Sequence, residues 1–354
     1  METKPAYHFE KNKIYSKKLE GIIKHELPPY CREYFIALEN RTQIRTRLAY
    51  AYDLQLFFYY IQSENPLYSK LAIRDIPFEA IKNLDRMDFE EYMHFLRSYE
   101  KDGRYGSNGD AALSRRLSSL RSFFTYLYDT DAIASNPVTK VQLPKRKEQP
   151  ITVLESNEVD SLLSALKTGD IWNAHERAYH EKTGRRDYAL FYLLLNTGIR
   201  VSEAEGLNID DVDFVHNELR IIRKGGRYDI LGLSDAVKEV LTEYINSDRL
   251  VLLGESSSEK ALFVSGRGKR LSVRAIQAMT EKIGKRLFPM KHITPHKMRS
   301  TFGTAFQEKT GDIFLTAAML GHSDVNTTRK HYVRQDKQKV KEAFRSFNVS
   351  ETQS

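Results

Sequence analysis

A chain of 354 residues is long enough for about two domains, each able to bury its own core. With 41% hydrophobic and 29% charged residues it reads as a folded, water-compatible protein, and its single cysteine, Cys31, excludes an internal disulfide and any multi-cysteine zinc site. Lysine and arginine outnumber the acids by 55 to 47, a net charge of +8 that favours a polyanionic partner, whereas no apolar run approaches the roughly 20 residues of a membrane span. The start, METKPAYHFEKNK, has no signal-peptide core, so a cytoplasmic protein with no membrane partner is expected.

In chain order, residues 1–26 read as an N-terminal extension and 27–135 as a helical domain. Amphipathic patterns predict helices from about Thr42 to Gln62 and from about Asp88 to Tyr99. In the last helix of this half, Leu113, Leu117, Leu120, Phe124 and Leu127 step by four and three. Arg115, Arg116, Ser119 and Ser122 fall mostly on the other side, a basic, hydroxyl-rich face able to enter a DNA major groove or to be an ordinary solvated surface.

Residues 136–150, NPVTKVQLPKRKEQP, break the pattern with three prolines. Here Lys140, Lys145, Arg146 and Lys147 make a basic linker suited to solvent or phosphate. The second domain is expected at 151–334, with a tail at 335–354. Asn157 to Leu166 and Tyr188 to Leu195 read as helices around a charged insertion from about Thr168 to Arg186. Glu218 to Arg223 and Tyr228 to Leu233 are strand-like runs around Gly225-Gly226, a hairpin signal, and Ala261 to Ser265 is a candidate third strand. Helices resume from Val273. The expected fold is therefore mainly α, with two domains and one small antiparallel sheet in the second.

Four stretches concentrate Arg, Lys, His and Tyr: NTGIRVSE (196–203), RKGGRYD (223–229), HKMRSTF (296–302) and LGHSDVNTTRKHYVR (320–334). Each alone is ordinary surface or structure. Together they resemble the catalytic signature of the tyrosine recombinase or phage integrase family. Thr197-Gly198-Ile199-Arg200, Ser202 and Glu203 match its first arginine motif, Lys224-Gly225 its hairpin lysine, His296, Met298 and Arg299 its H-x-[LM]-R, and Leu320-Gly321-His322 with Tyr332 its nucleophile segment. The first half resembles the family's helical core-binding domain, ending in LSSLRSFFTYL and Asn136-Pro137. The insertion before Arg186-Asp187, the Arg223 to Gly226 hairpin and the overall length look most like the single-protein Xer recombinases of Gram-positive bacteria. Three departures stand out: Ser300 where histidine is common, Ala204-Glu205 where apolar residues are commoner, and Tyr332 ten residues after His322, with His331 at the ninth position.

The resemblance implies a site-specific recombinase that cleaves and rejoins double-stranded DNA through a covalent 3′-phosphotyrosine formed by Tyr332. Arg200 and Arg299 would clamp the phosphate, Lys224 would protonate the departing 5′ oxygen, His296 would help to accept the tyrosine proton, and His322 would bond the phosphate. Glu203, one helical turn beyond Arg200, would orient an arginine or histidine. Such chemistry conserves bond energy and calls for no cofactor and no metal. Asp210, Asp211 and Asp213, which superficially suggest a two-metal nuclease, are read instead as residues that close the helix after Arg200.

By the same resemblance the partner is a double-stranded DNA recombination site, bound as a homotetramer on two sites, with accessory proteins unknown. Val340, Ala343, Phe344 and Phe347 in the tail are expected to pack on a neighbour or on their own domain. The alternatives are a non-catalytic site-specific DNA-binding protein on the same fold, which a covalent protein-DNA adduct excludes, and a type IB topoisomerase, which a strict site requirement excludes. Xer-like dimer resolution and mobile-element integration or excision both remain open. About 26 residues ahead of the helical domain are too few for a separate arm-binding domain, which favours the two-domain type.

Overall fold

The computed structural model describes residues 6–142, 153–254, 258–321 and Val325. The chain divides into two compact units, Met1–Gln149 and Pro150–Ser354. Both are dominated by helices, with small antiparallel sheets. No described helix is long and apolar enough to cross a membrane.

The first unit comprises α1 (Ala6–His25), α2 (Cys31–Ala37), α3 (Ile44–Glu64), α4 (Glu79–Lys82), α5 (Arg86–Phe95), the strands β1 (Tyr99–Lys101) and β2 (Arg104–Gly106), and α6 (Asp110–Asp129). Leu54, Phe57, Phe58 and Ile61 of α3 recur at helical spacing and are buried with Phe89 and Tyr92 of α5 and Leu113, Leu117, Leu120, Phe124 and Leu127 of α6. Leu19 and Ile22 of α1 enter the same core. Residues 6–25, expected as part of an extension, are thus a helix packed within this unit.

The helix expected to reach Tyr99 stops at Phe95. The chain then turns through Asp102-Gly103, both with positive φ, and pairs Tyr99 with Gly106. Asp-Gly between two short runs is a strong two-residue hairpin signal, and the pattern reading passed over it.

The polar side of α6 needs a correction. Ser119 is fully buried, and its hydroxyl donates to Asp53 Oδ2 at 2.6 Å. Asp53 is itself 1% exposed, and it also accepts Arg115 Nη2 at 2.6 Å and Arg116 Nη1 at 3.0 Å. Ser122 accepts the Tyr34 hydroxyl at 3.0 Å. A buried carboxylate must be paired and fully hydrogen-bonded, so three of the four residues expected to face DNA, Arg115, Arg116 and Ser119, instead gather around an acid carried by α3. Of those four residues Arg115 alone keeps about half of its side chain in solvent, at 49%. The sequence signal was Asp53 itself, one acid inside the apolar run from Leu48 to Tyr60.

The second unit comprises α7 (Ser156–Thr168), α8 (Ala174–Thr197), α9 (Val201–Gly206), β3 (Val212–Asp213), β4 (Glu218–Ile222), β5 (Tyr228–Gly232), α10 (Asp235–Asn246), α11 (Asp248–Leu253), α12 (Val273–Leu287), α13 (Pro295–Thr310) and α14 (Ile313–Leu320). Its core gathers Leu162 and Leu166 of α7, Leu190, Phe191 and Leu193 to Leu195 of α8, Leu219 and Ile221 of β4, Leu241 and Tyr244 of α10, and Met298 of α13.

Two expectations change here. Most of the charged insertion before Arg186 is the first half of α8, started by Asn173 and Glu176, whose side chains each accept from the other's backbone N–H. The charged residues follow this cap as helix, so polarity alone was misleading. The third strand is β3, paired to β4, whereas Ala261 and Val264 make only isolated bridges. Residues 261–264 are buried without alternation, and their hydrogen bonds go in two directions, Leu262 N–H to Leu207 O and Leu271 N–H to Phe263 O. Asp210 and Asp211 lie in a 3₁₀ turn beyond α9, and Asp213 on β3 accepts the N–H groups of Val215 and His216.

Candidate active site

The site begins at the end of α8, where Gly198 closes the helix with φ +61°. A Cβ at this position would stand 2.2 Å from Phe302 Cδ1, so both the backbone angle and the space demand glycine. Gly198→Ala is expected to lose about 2 kcal/mol or more of stability, from αL strain plus overpacking against Phe302, seen as a lower denaturant midpoint at unchanged slope. A midpoint equal to the parent's would contradict this geometry.

The reversal makes Arg200 the N-cap of α9. Its backbone N–H donates to Glu203 Oε2 at 2.7 Å, and its Nη1 to Glu203 Oε1 at 2.9 Å. Glu203 is almost fully buried while Arg200 is 31% exposed, so the carboxylate holds the guanidinium from below and leaves part of it facing solvent.

Three arginines then converge on the C-terminus of α14. Arg223 Nη2 donates to Met319 O at 2.9 Å, Arg299 Nη2 donates to Leu320 O, and Arg200 Nη2 approaches Gly321 O at 3.4 Å. The last carbonyls of a helix lack intrahelical partners and carry the negative end of its dipole, so three successive oxygens make a natural cradle for cations. Arg299, 4% exposed, also donates to Gly198 O, which ties the end of α8 to the end of α14. Arg223, 5% exposed, bonds the carboxylates of Glu203 and Asp229. Among the described residues, three guanidiniums against two carboxylates leave the cluster net positive, which suits an anionic phosphate.

Lys224 is exposed in the turn between β4 and β5, where Gly225 and Gly226 have positive φ and Arg223 N–H donates to Arg227 O at 2.8 Å. His296 is exposed in the first turn of α13, three residues before Arg299 and hence on the same side of that helix. Ser300, the departure beside Arg299, donates to His296 O at 3.1 Å. Glu205, the other departure, is buried and accepts the N–H of Val273 at 3.2 Å, at the start of α12. Lys145, Arg146, Lys147, His322, Tyr332 and the apolar tail residues lie outside the described residues.

The geometry thus pairs Arg200 with Glu203 directly and brings Arg299 to the adjacent carbonyl at the end of α14, and it joins Lys224 to them through its chain neighbour. Arg223 and Asp229 were missed as site residues. Their signal was present in RKGGRYD, an arginine and an aspartate flanking a glycine turn, but side-chain burial in a hairpin cannot be read from spacing.

The family model described as "Phage integrase family" matches residues 152–339. Tyrosine recombinase XerC of Caldanaerobacter subterraneus subsp. tengcongensis is 30% identical over 351 residues, covering 96% of this chain and 92% of the relative. Tyrosine recombinase XerD of Oceanobacillus iheyensis is 28% identical over 315 residues, 89% of this chain and 96% of the relative. Among solved structures, the XerH site-specific recombinase bound to palindromic difH substrate, a post-cleavage complex, shares the fold at TM-score 0.62, with 19% identity over 94% of this chain and 93% of that one. The Tn1549 transposon integrase in complex with circular intermediate DNA does so at TM-score 0.59, with 21% identity over 85% and 94%. With the family match spanning more than half of its length and a relative alike almost end to end, the chain belongs to the phage integrase family and is a tyrosine-type site-specific DNA recombinase.

Proposed function

We propose that Tyr332 is the nucleophile, that Arg200 and Arg299 hold the scissile phosphate, and that Lys224 is the general acid. The observation that carries this reading is the anchoring of Arg200 and Arg299 on the adjacent carbonyls Gly321 and Leu320, immediately before His322 in the chain. Attack by the Tyr332 oxygen forms the P–O bond to tyrosine and breaks the P–O5′ bond, building charge on the non-bridging oxygens. Guanidiniums already fixed by carbonyls and by Glu203 meet that charge without reorganising, and five N–H donors each allow scaffold and phosphate to be bonded together. The tyrosine proton passes to His296, and the leaving 5′ oxygen takes its proton from Lys224, whose exposed turn suits a group that must reach the DNA. His322 adds a hydrogen bond to the phosphate. Rejoining reverses these steps, so the cycle needs no cofactor.

The test separates acid from mere charge. Lys224→Ala should bind its site yet cleave about 10² to 10⁴ times more slowly, and a 5′-bridging sulfur, which leaves without a proton, should restore most of the rate. Equal slowness on oxygen and sulfur would remove the acid role from Lys224.

We further read the partner as a double-stranded recombination site bound by a homotetramer across two such sites. The relatives' Xer names favour chromosome-dimer resolution, and the integrase likeness leaves mobile-element integration or excision as the second reading. Arg115 and the basic linker residues Lys145, Arg146 and Lys147 supply phosphate contacts. The affinity should accordingly fall steeply with salt; a slope of log K against log salt near zero would contradict an electrostatic interface.

A further inference from the structure

Arg223 immediately precedes Lys224 and closes the hairpin turn through its backbone bond to Arg227. Its side chain reaches three separate elements. Nε donates to Asp229 Oδ2 at 2.9 Å on β5, Nη1 to Glu203 Oε2 at 3.3 Å on α9, and Nη2 to Met319 O at 2.9 Å at the end of α14. The other oxygen of the Glu203 carboxylate, Oε1, accepts Arg200, so one carboxylate is shared by a phosphate-binding arginine and by the residue beside the acid. Gly321 comes so close that a Cβ there would lie 2.9 Å from Arg223 Nε, which seats the guanidinium directly on the backbone ahead of His322.

A residue needed only to hold a sheet together would gain more from an apolar side chain, because burying a charge costs desolvation that ion pairing only partly returns. Arg223 is 5% exposed, yet its partners are two carboxylates and a carbonyl drawn from three elements. What it adds is placement. We propose that Arg223 is a positioning residue, which fixes the base of the β4–β5 hairpin against Glu203 and the end of α14 so that Lys224 meets the leaving oxygen of the phosphate that Arg200 holds. This rests on the reading of Lys224 as the acid.

The experiment measures single-turnover cleavage, at saturating full-length protein, on paired substrates with oxygen or sulfur at the bridging 5′ position. The variants are Arg223→Lys, Asp229→Ala and Lys224→Ala. Asp229 is 30% exposed, so its loss cuts the hairpin side of the bridge without emptying a core site. Arg223→Lys keeps the charge but cannot span three partners. Both should bind DNA as the parent does and cleave the oxygen substrate about 10 to 100 times more slowly, the cost of a displaced catalytic group. On sulfur both should return to within a few-fold of the parent, because no proton is then required. A merely structural defect would slow both substrates alike, and that result, or a parental rate on oxygen, overturns the proposal. Should Lys224→Ala itself stay slow on sulfur, the acid reading falls and takes the proposal with it. Rescue of Lys224→Ala without rescue of Asp229→Ala overturns the positioning role alone.

Discussion

Arg200→Ala is expected to cut the rate of DNA cleavage by about 10³ to 10⁵, the range a transition-state arginine contributes in other phosphoryl transfers, while the protein still folds and still finds its site. Folding should survive because Arg200 is one-third exposed and Glu203 keeps Arg223 as a partner. Binding should weaken only modestly, since one phosphate contact among many is lost. Sulfur at the 5′ bridge should bring no recovery, because the defect is charge stabilisation rather than protonation. Arg200→Lys should recover little, since a lysine ammonium cannot reproduce the fork that bonds Glu203 and phosphate together. Single-turnover cleavage decides: a rate for Arg200→Ala within tenfold of the parent would remove it from the phosphate clamp.

Arg299→Ala should match it in chemistry and exceed it in structural cost. Arg299 is buried and donates to Gly198 O and Leu320 O, so its removal leaves two carbonyls short of donors at the joint between α8 and α14. Comparing the two variants by thermal melting and by cleavage separates the roles, with a clear drop in midpoint expected for Arg299→Ala alone.

Much of the geometry of the candidate site was legible in local sequence patterns. A Thr-Gly-Ile-Arg segment after an apolar run marks a helix end followed by a reversal, which Gly198 and Arg200 supply. Glu203 was legible as a residue one turn from Arg200, and the two share two hydrogen bonds. The pairing of β4 with β5 followed from Gly225-Gly226 between strand-like runs.

What remained hidden depended on burial and on long-range pairing, which local patterns do not encode. Ser119 and Arg116 looked like a DNA-facing or solvated surface because no spacing rule announces that Asp53, more than sixty positions earlier, lies beneath them. The charged start of α8 looked like an insertion between helices because the apolar half supplies the core. Arg223 looked like one more turn cation, although its burial and its carboxylate partners make it part of the site.

Tyr332→Phe should abolish cleavage on oxygen and sulfur substrates alike, with binding retained, because no other group replaces the attacking oxygen. The central claim is that this enzyme links itself to DNA through that one side chain. It is tested most directly by trapping the protein on a nicked site, digesting the covalent complex and locating the nucleotide-bearing residue by mass spectrometry. The account predicts a 3′-phosphotyrosyl adduct on the peptide containing Tyr332, and none from Tyr332→Phe. An adduct on any other residue, His331 included, or site-specific strand exchange without an adduct, would contradict it.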